Sequence, residues 1–230
     1  MVLVCLREKN RVIHALDVED KVKALRIVKA VKDFVDAVKV SYPLILRESL
    51  KIVSKIKNCS DNLPLILDFK VADIPLICEK IVDVCVKAGA DGIIVHGFMG
   101  RDSLKACIDA AKKGDVDVYV VVEMSHPGAI EFFQPIGEKI AEIAKNLGAA
   151  GIVAPATRPE RVRRYRFIVG EEMIIISPGV GVQGGKPGDA ILHGANFEIV
   201  GRLIYESSNP RKTAQEISQQ IRERLSKNLE

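Results

Sequence analysis

Eight short apolar runs, separated by longer stretches of helical periodicity, constrain the fold of this chain more than any other feature. They are RVIHALD (11–17), DAVKVS (36–41), LPLILDFK (63–70), DGIIVHG (91–97), VDVYVVVEM (116–124), AGIVAP (150–155), MIIISPG (173–179) and FEIVG (197–201). Strands alternating with helices signify βα units around a parallel sheet, and eight such units are the number that closes a barrel. Between the runs, Val22, Leu25, Val28, Val31 and Val35 recur at three- and four-residue spacing, as do Ala214, Ile217, Ile221 and Leu225, which predicts helices with one apolar face. Gly89 and Gly148 stand where helices should stop. An open, doubly wound sheet would usually carry a glycine-rich turn after its first strand; here that position holds Asp17-Val18-Glu19-Asp20. The expectation is an α/β protein, a (β/α)8 TIM barrel built as one domain over residues 1–230. The 230 residues, 48% of them hydrophobic, are enough to bury one such core.

Charge narrows the function classes. Charged residues make up 28% of the chain and the net charge is +4, too balanced for a dedicated nucleic-acid binder but compatible with a small phosphorylated anion. The charged stretch Glu160-Arg161 and Arg163-Arg164 with Arg166 reads as a solvated helix face. No apolar run reaches the ~18 residues of a membrane span, and MVLVCLREKN is too short and too soon charged for a secretory signal; a soluble, cytoplasmic protein is expected. Cys5, Cys59, Cys78, Cys85 and Cys107 are scattered and odd in number, so they read as reduced thiols, with Cys78, Cys85 and Cys107 as small apolar residues buried on helices. His14, His126 and His193 are too dispersed to suggest a metal site.

In a barrel, functional groups gather where strands end, and that is where the unusual polar residues fall. Asp68-Phe69-Lys70-Val71-Ala72-Asp73 closes the third run. Strand alternation points Asp68 and Lys70 to the same side, with Asp73 following in the loop. An ammonium between carboxylates stays protonated and available as an acid; the alternative is an ion pair that merely closes the barrel mouth. Lys39 lies in an apolar setting near the end of the second run and needs an anion, for which Asp68 is the candidate, unless it snorkels to the rim. Asp17, ending the first run, either accepts hydrogen bonds from a hydroxylated ligand or caps the next helix. Ser177-Pro178-Gly179-Val180-Gly181-Val182-Gln183-Gly184-Gly185 follows the seventh run and Gly201-Arg202 the eighth, the positions of the recurrent phosphate site of such barrels, where glycine backbone and an arginine fork suit an anion. Ser125 either bonds a heterocycle or builds a turn with Pro127 and Gly128. His96 reads as a satisfied core histidine rather than a catalytic one.

The segments ALD, VKVSYPL, LDFKVADIP, VHGF, EMSHPGA, ATRPER, SPGVGVQGG and VGRLIY together resemble the orotidine 5′-monophosphate decarboxylases, in particular their short archaeal form, from residue 11 to about residue 210. The D-x-K-x-x-D element is shared with sugar-phosphate relatives, 3-keto-L-gulonate 6-phosphate decarboxylase and hexulose 6-phosphate synthase, which bind a metal and carry a carboxylate in the place of Lys39; Lys39 favours the nucleotide enzymes. The resemblance implies decarboxylation of orotidine 5′-monophosphate to uridine 5′-monophosphate with no metal and no organic cofactor. It implies that Asp17 and Lys39 hold the ribose hydroxyls, that Asp68 lies near the substrate carboxylate and that Lys70 delivers the proton. Asp73 would enter the site of a neighbouring subunit, so a homodimer is expected. Ser125 would meet the pyrimidine, Ile74 and Pro178 would line the base pocket, Gln183 would link base and phosphate, and Gly179, Gly201 and Arg202 would hold the phosphate. Two positions depart from the pattern: Ile77 stands where close archaeal relatives have a threonine that helps at the ribose across the interface, and Ser41 where they often have glycine. Of the two, Ser41 is expected to matter less.

Overall fold

A computed structural model describes residues 6–228; Cys5 lies outside them. In chain order the elements are β1 (Val12–Ala15), α1 (Lys21–Val31), β2 (Ala37–Ser41), α2 (Tyr42–Glu48), α3 (Ile52–Cys59), β3 (Leu65–Val71), α4 (Pro75–Lys87), β4 (Gly92–His96), α5 (Arg101–Lys112), β5 (Asp117–Val121), α6 (Ala129–Asn146), β6 (Gly151–Val153), α7 (Pro159–Val169), β7 (Ile174–Pro178), α8 (Asp189–Leu192), β8 (Phe197–Val200), α9 (Arg202–Tyr205) and α10 (Pro210–Lys227). The eight strands close in sequence order, each parallel to the next, with β8 returning to β1. Every expected run holds its strand, and β3 continues one residue beyond its run, to Val71.

Strand alternation divides the apolar residues into two cores. Ile13, Ala15, Ala37, Ile66, Ile94, Tyr119, Val121, Val153, Ile176, Phe197 and Ile199 fill the barrel interior, while their strand neighbours Val12, Val38, Leu65, Leu67, Ile93, Val118, Val120, Ile152 and Ile175 pack outward against the helices. Such layers make the barrel a packed core rather than a pore. Tyr119 is completely buried, and glycines on both flanking strands make room for its ring: a Cβ on Gly92 would lie 3.0 Å from Tyr119 Cε2, and one on Gly151 2.8 Å from Cδ1.

The helices follow the expected periodicity with one shift of face. In α1 the buried residues are Ala24, Ile27, Val28 and Val31. Val22, expected on the apolar stripe, is exposed, because Ala24 and Ile27 fix the angle of contact and put the first turn's Val22 on the solvent side. In α10 Ala214, Ile217 and Ile221 are buried as the spacing predicts. Gly89 and Gly148 adopt φ of +88° and +71° just past α4 and α6, the left-handed geometry glycine supplies at a helix end. Cys78, Cys85 and Cys107 are buried on α4 and α5, and with Cys59 they are free thiols. The basic α7 is not wholly a solvated face. Arg163 and Arg164 are exposed, but Arg166 is buried, donating to the carbonyls of Gly194 and Met173 and to Asn196 Oδ1. Among the described residues no helix is long and apolar enough to cross a membrane.

Gly151→Ala is expected to destabilise the barrel, because the new methyl group would sit 2.4 Å from the carbonyl oxygen of Ile174, which belongs to the neighbouring strand and cannot yield. Overpacking of this kind costs about 1–3 kcal/mol. Urea unfolding of the variant, read as a lower midpoint with unchanged slope, checks it.

Candidate functional site

The ladder between β3 and β4 is regular up to Asp68, opposite Ile94, and resumes with Val71 opposite Val95. Three steps on β3 thus oppose one on β4, a surplus of two residues. An even surplus leaves the side-chain alternation in phase: Leu67, Phe69 and Val71 still pack outward, and Asp68 and Lys70 still meet, with Lys70 Nζ donating to Asp68 Oδ1 at 2.8 Å. The expectation that the two share a side therefore holds, but a bulge rather than a plain pleat delivers it. Lys70 itself has φ of +44°, a conformation uncommon for a residue with a Cβ and of the kind that gathers at functional sites.

From Lys70 a line of alternating charge crosses the barrel mouth. Asp68 Oδ2 lies 2.9 Å from Lys39 Nζ, and Lys39 Nζ lies 3.1 Å from Asp17 Oδ1. The two inner members are shut away, Lys39 with 7% and Asp68 with 6% of the side chain exposed, while the ends, Lys70 at 34% and Asp17 at 35%, stay open. The ends are therefore the more accessible members, and the buried middle links them. Burial opposes the charge on Lys39, yet the Asp68 and Asp17 carboxylates outweigh it and hold the ammonium above its usual range. Burial likewise opposes ionisation of Asp68, and the two ammonium groups beside it, Lys39 and then Lys70, outweigh that and hold its carboxyl below the usual range. Lys39 and Asp68 are thus both charged at neutral pH, and Lys39 reaches its anions without snorkelling.

These residues open onto a cleft of about 410 Å³ at the C-terminal ends of the strands, where barrel sites lie. Of the residues expected at the site, Asp17, Lys39, Asp68, Lys70, Ser125, Pro178, Gly179, Gln183, Gly201 and Arg202 all line it. Asp73 and Ile74 do not: both are exposed on the loop before α4, where Asp73 Oδ1 accepts from the amide of Ile74. Ile77 is half-buried on α4, also outside the cleft. The loop after β7 is held by its own backbone, Gly181 N donating to Gly185 O and Gly185 N to Gly179 O. Gly179 is required twice over: its φ is +114°, and a Cβ would fall 2.8 Å from Thr157 Cγ2 and 3.1 Å from Ser125 Cβ.

Other lining residues escaped the sequence reading. Tyr205, on α9, and Met124 and His126 after β5 face the cleft. Tyr205 lies three residues past Arg202 on the same short helix, a helical spacing that marks it as a neighbour once the helix is known. Ser41 also has a contact its position in the run did not reveal, its hydroxyl donating to Asp17 Oδ1 at 2.5 Å. Behind Ser125, the completely buried Glu123 pairs with Arg158 at 2.7 Å and Arg161 at 2.9 Å and accepts from Tyr165, so the turn rests on an ion-pair cluster. His96 packs between Phe98 and Phe133. Burial, and then the nearby Lys70 ammonium, pushes its pKa down to about 4, and its buried Nδ1 has no hydrogen-bond partner among the described residues. It is a neutral packing group, though not a satisfied one. Among the described residues no cluster of three or more His, Cys, Asp or Glu can hold a metal ion.

A closed parallel (β/α)8 barrel whose mouth carries a Lys-Asp-Lys-Asp line defines the class: this is a barrel enzyme. Its residues 10–217 match the model of the orotidine 5′-phosphate decarboxylase / HUMPS family, and the chain belongs to that family. It is 54% identical over 220 residues to the orotidine 5′-phosphate decarboxylase of Methanococcoides burtonii, covering 94% of this chain and 99% of that one. It is 51% identical over 209 residues to that of Methanocaldococcus jannaschii, covering 90% and 96%. Among solved structures it resembles the Methanocaldococcus jannaschii orotidine 5′-monophosphate decarboxylase complexed with the inhibitor BMP, with a TM-score of 0.87 and 50% identity over 91% of this chain and 97% of that chain. It also resembles the Pyrococcus horikoshii enzyme, with a TM-score of 0.85 and 42% identity over 92% and 99%.

The charge line has a signature in stability. A carboxyl held low in the folded state contributes fully above its ordinary value of about 4, and that contribution is lost as the pH falls through the folded value. Asp68→Asn removes it and leaves two ammonium groups facing an amide, so a loss of about 3–5 kcal/mol at neutral pH is expected, together with a flatter dependence of stability on pH on the acid side. Urea unfolding from acid to neutral pH measures both; an acid slope equal to that of the unsubstituted protein would show that Asp68 does not carry it.

Proposed function

We propose that this chain decarboxylates orotidine 5′-monophosphate to uridine 5′-monophosphate with Lys70 as the stabilising cation and the proton donor, acting as a cytoplasmic homodimer of single-domain subunits. The observation that carries the reading is the Lys70 ammonium, open to the cleft and held 2.8 Å from an almost wholly buried carboxylate. When the bond from C6 to the carboxylate breaks, its electron pair stays on C6 in the ring plane, where the ring π system cannot delocalise it. A cation already in place stabilises that charge as it develops, without solvent reorganisation. Transfer of a Lys70 proton to C6 then completes the C–H bond, and the lysine recovers its proton from water. No electron sink is required. Asp68, beside the substrate carboxylate, keeps Lys70 oriented through their 2.8 Å contact.

The remaining lining residues suit a nucleotide. Asp17 and Lys39 hold ribose hydroxyls, Ser125 and Pro178 face the base, and Gln183 spans base and phosphate. Gly179, Gly201 and Arg202 receive the phosphate, with glycine amides and a guanidinium fork matched to its oxygens. Asp73 and Ile74, outward-facing in one subunit, serve the site of the neighbour. The exposed apolar side chains Ile74, Leu76, Phe98 and Phe132 support that association, since exposed hydrophobics in number mark an interaction surface. A metal-dependent sugar-phosphate lyase, the second activity of this family's name, is disfavoured by Lys39, whose ammonium stands in the middle of the carboxylate line.

Chelator-treated protein mixed with orotidine 5′-monophosphate is expected to consume the orotate chromophore at an undiminished rate. Lys70→Ala is expected to lose at least about 10⁴-fold in turnover, since both the proton donor and the electrostatic stabilisation go, while unfolding near the parent temperature. Near-normal activity of that variant would sink the assignment. Lys70→Ala and Asp73→Ala subunits, each inactive alone, are expected to regain about a quarter of full activity when mixed and reassociated, because each hybrid dimer has one site with neither change. Mixtures that stay inactive would place Asp73 in its own subunit's site.

A further inference from the structure

We propose that Ser41 is a positioning residue for the ribose site: its hydroxyl fixes Asp17 in the orientation that receives the sugar. The inference rests on the proposed role of Asp17 above.

Ser41 ends β2 and is the N-cap of α2, with φ −117° and ψ −176°. Serine in that extended conformation ordinarily turns its oxygen back to accept from the amides of the first helical turn. Here it makes no side-chain capping bond; the hydroxyl donates across to Asp17 Oδ1 at 2.5 Å instead. The direction of donation is settled by chemistry, because an ionised carboxylate can only accept. Serine's usual structural task is left undone, and the side chain is directed to a carboxylate of the cleft.

Asp17 needs that second donor. It lies past the end of β1, and its side chain is about one-third exposed at 35%. Lys39 reaches it at 3.1 Å but also serves Asp68 at 2.9 Å, so one ammonium is divided between two carboxylates. Residues 39 and 41 lie on the same face of β2 by strand alternation, and both donate to Oδ1. Among the described residues nothing donates to Oδ2, which leaves that oxygen free for a ligand hydroxyl. Two donors on one oxygen define the rotation of the carboxylate, whereas the lysine alone does not.

Ser41→Gly separates this role from a structural one. Glycine is nearly as good an N-cap as serine, and no capping bond is lost, so the variant is expected to fold and unfold like the parent. The measurement is calorimetric binding of uridine 5′-monophosphate and of its 2′-deoxy and 3′-deoxy analogues to the parent, Ser41→Gly, Ser41→Thr and Asp17→Ala. Ser41→Gly is expected to weaken uridine 5′-monophosphate about tenfold, the scale of one hydrogen bond to a charged group. It is expected to leave unchanged the affinity for whichever deoxy analogue lacks the hydroxyl that Asp17 holds, and Ser41→Thr, which keeps the donor, is expected to restore binding. An equal loss on all three ligands would reduce Ser41 to a structural residue. Parent-like binding by Ser41→Gly alongside a loss in Asp17→Ala would overturn the inference and leave the ribose reading intact. If Asp17→Ala binds all three ligands as the parent does, the ribose reading falls, and this inference with it.

Discussion

A single buried carboxylate organises the barrel mouth. Asp68 stands between two ammonium groups, 2.8 Å from Lys70 and 2.9 Å from Lys39, and neither cation could sit so near the other without it. Buried ion pairs are poor sources of stability, because desolvation consumes most of what the attraction returns. The arrangement therefore finds no explanation in holding the barrel shut, a task the interior layers of isoleucine, valine, phenylalanine and Tyr119 already perform. It makes sense as a way to hold one ammonium oriented and open to a cleft, with its paired carboxylate shielded from water.

The bulge in β3 belongs to the same arrangement. A regular strand would carry Lys70 along the barrel wall at the pitch of its neighbours. Two surplus residues against β4, with Lys70 in a left-handed conformation, lift the lysine toward the rim while keeping its carbon chain on the Asp68 side. The local strain falls on the residue whose ammonium faces the cleft, which is where strain tends to be stored when position matters more than backbone comfort.

How much of this was legible in the sequence follows from the range of each interaction. The strands, their order and the rim location of Asp17, Lys39, Asp68 and Lys70 are consequences of short-range pattern, and the period of two survived even the bulge. The apolar face of α1 was misjudged at Val22 because several faces of a valine-rich helix satisfy the same spacing, and only contact with the barrel chooses among them. Arg166 looked like one more surface cation because its acceptors, the carbonyls of Gly194 and Met173 and the side chain of Asn196, come from segments that nothing in the local sequence announces. Ser41 was undervalued for a related reason: nothing beside it in the chain announces the carboxylate it meets, which is 24 residues upstream. Asp73 and Ile74 mark a different limit, since nothing in the local pattern distinguishes a side chain that lines its own subunit's cleft from one that stands exposed beside it.

The loops that close the cleft are coupled by contact rather than by sequence. Thr157 Oγ1 donates to the carbonyl of Ser125 at 3.0 Å, and Gly179 passes so close to both residues that any side chain there would strike them. Arg158, next to Thr157, pairs with the buried Glu123 and donates to the carbonyl of Met124. The turn proposed to face the base and the loop proposed to grip the phosphate thus share one packed seam, with glycine as the element that lets them touch. In such an arrangement, energy gained where the phosphate binds is available to set the position of Ser125 against the ring. Interactions far from the bond that breaks can then favour the transition state rather than merely tighten the complex.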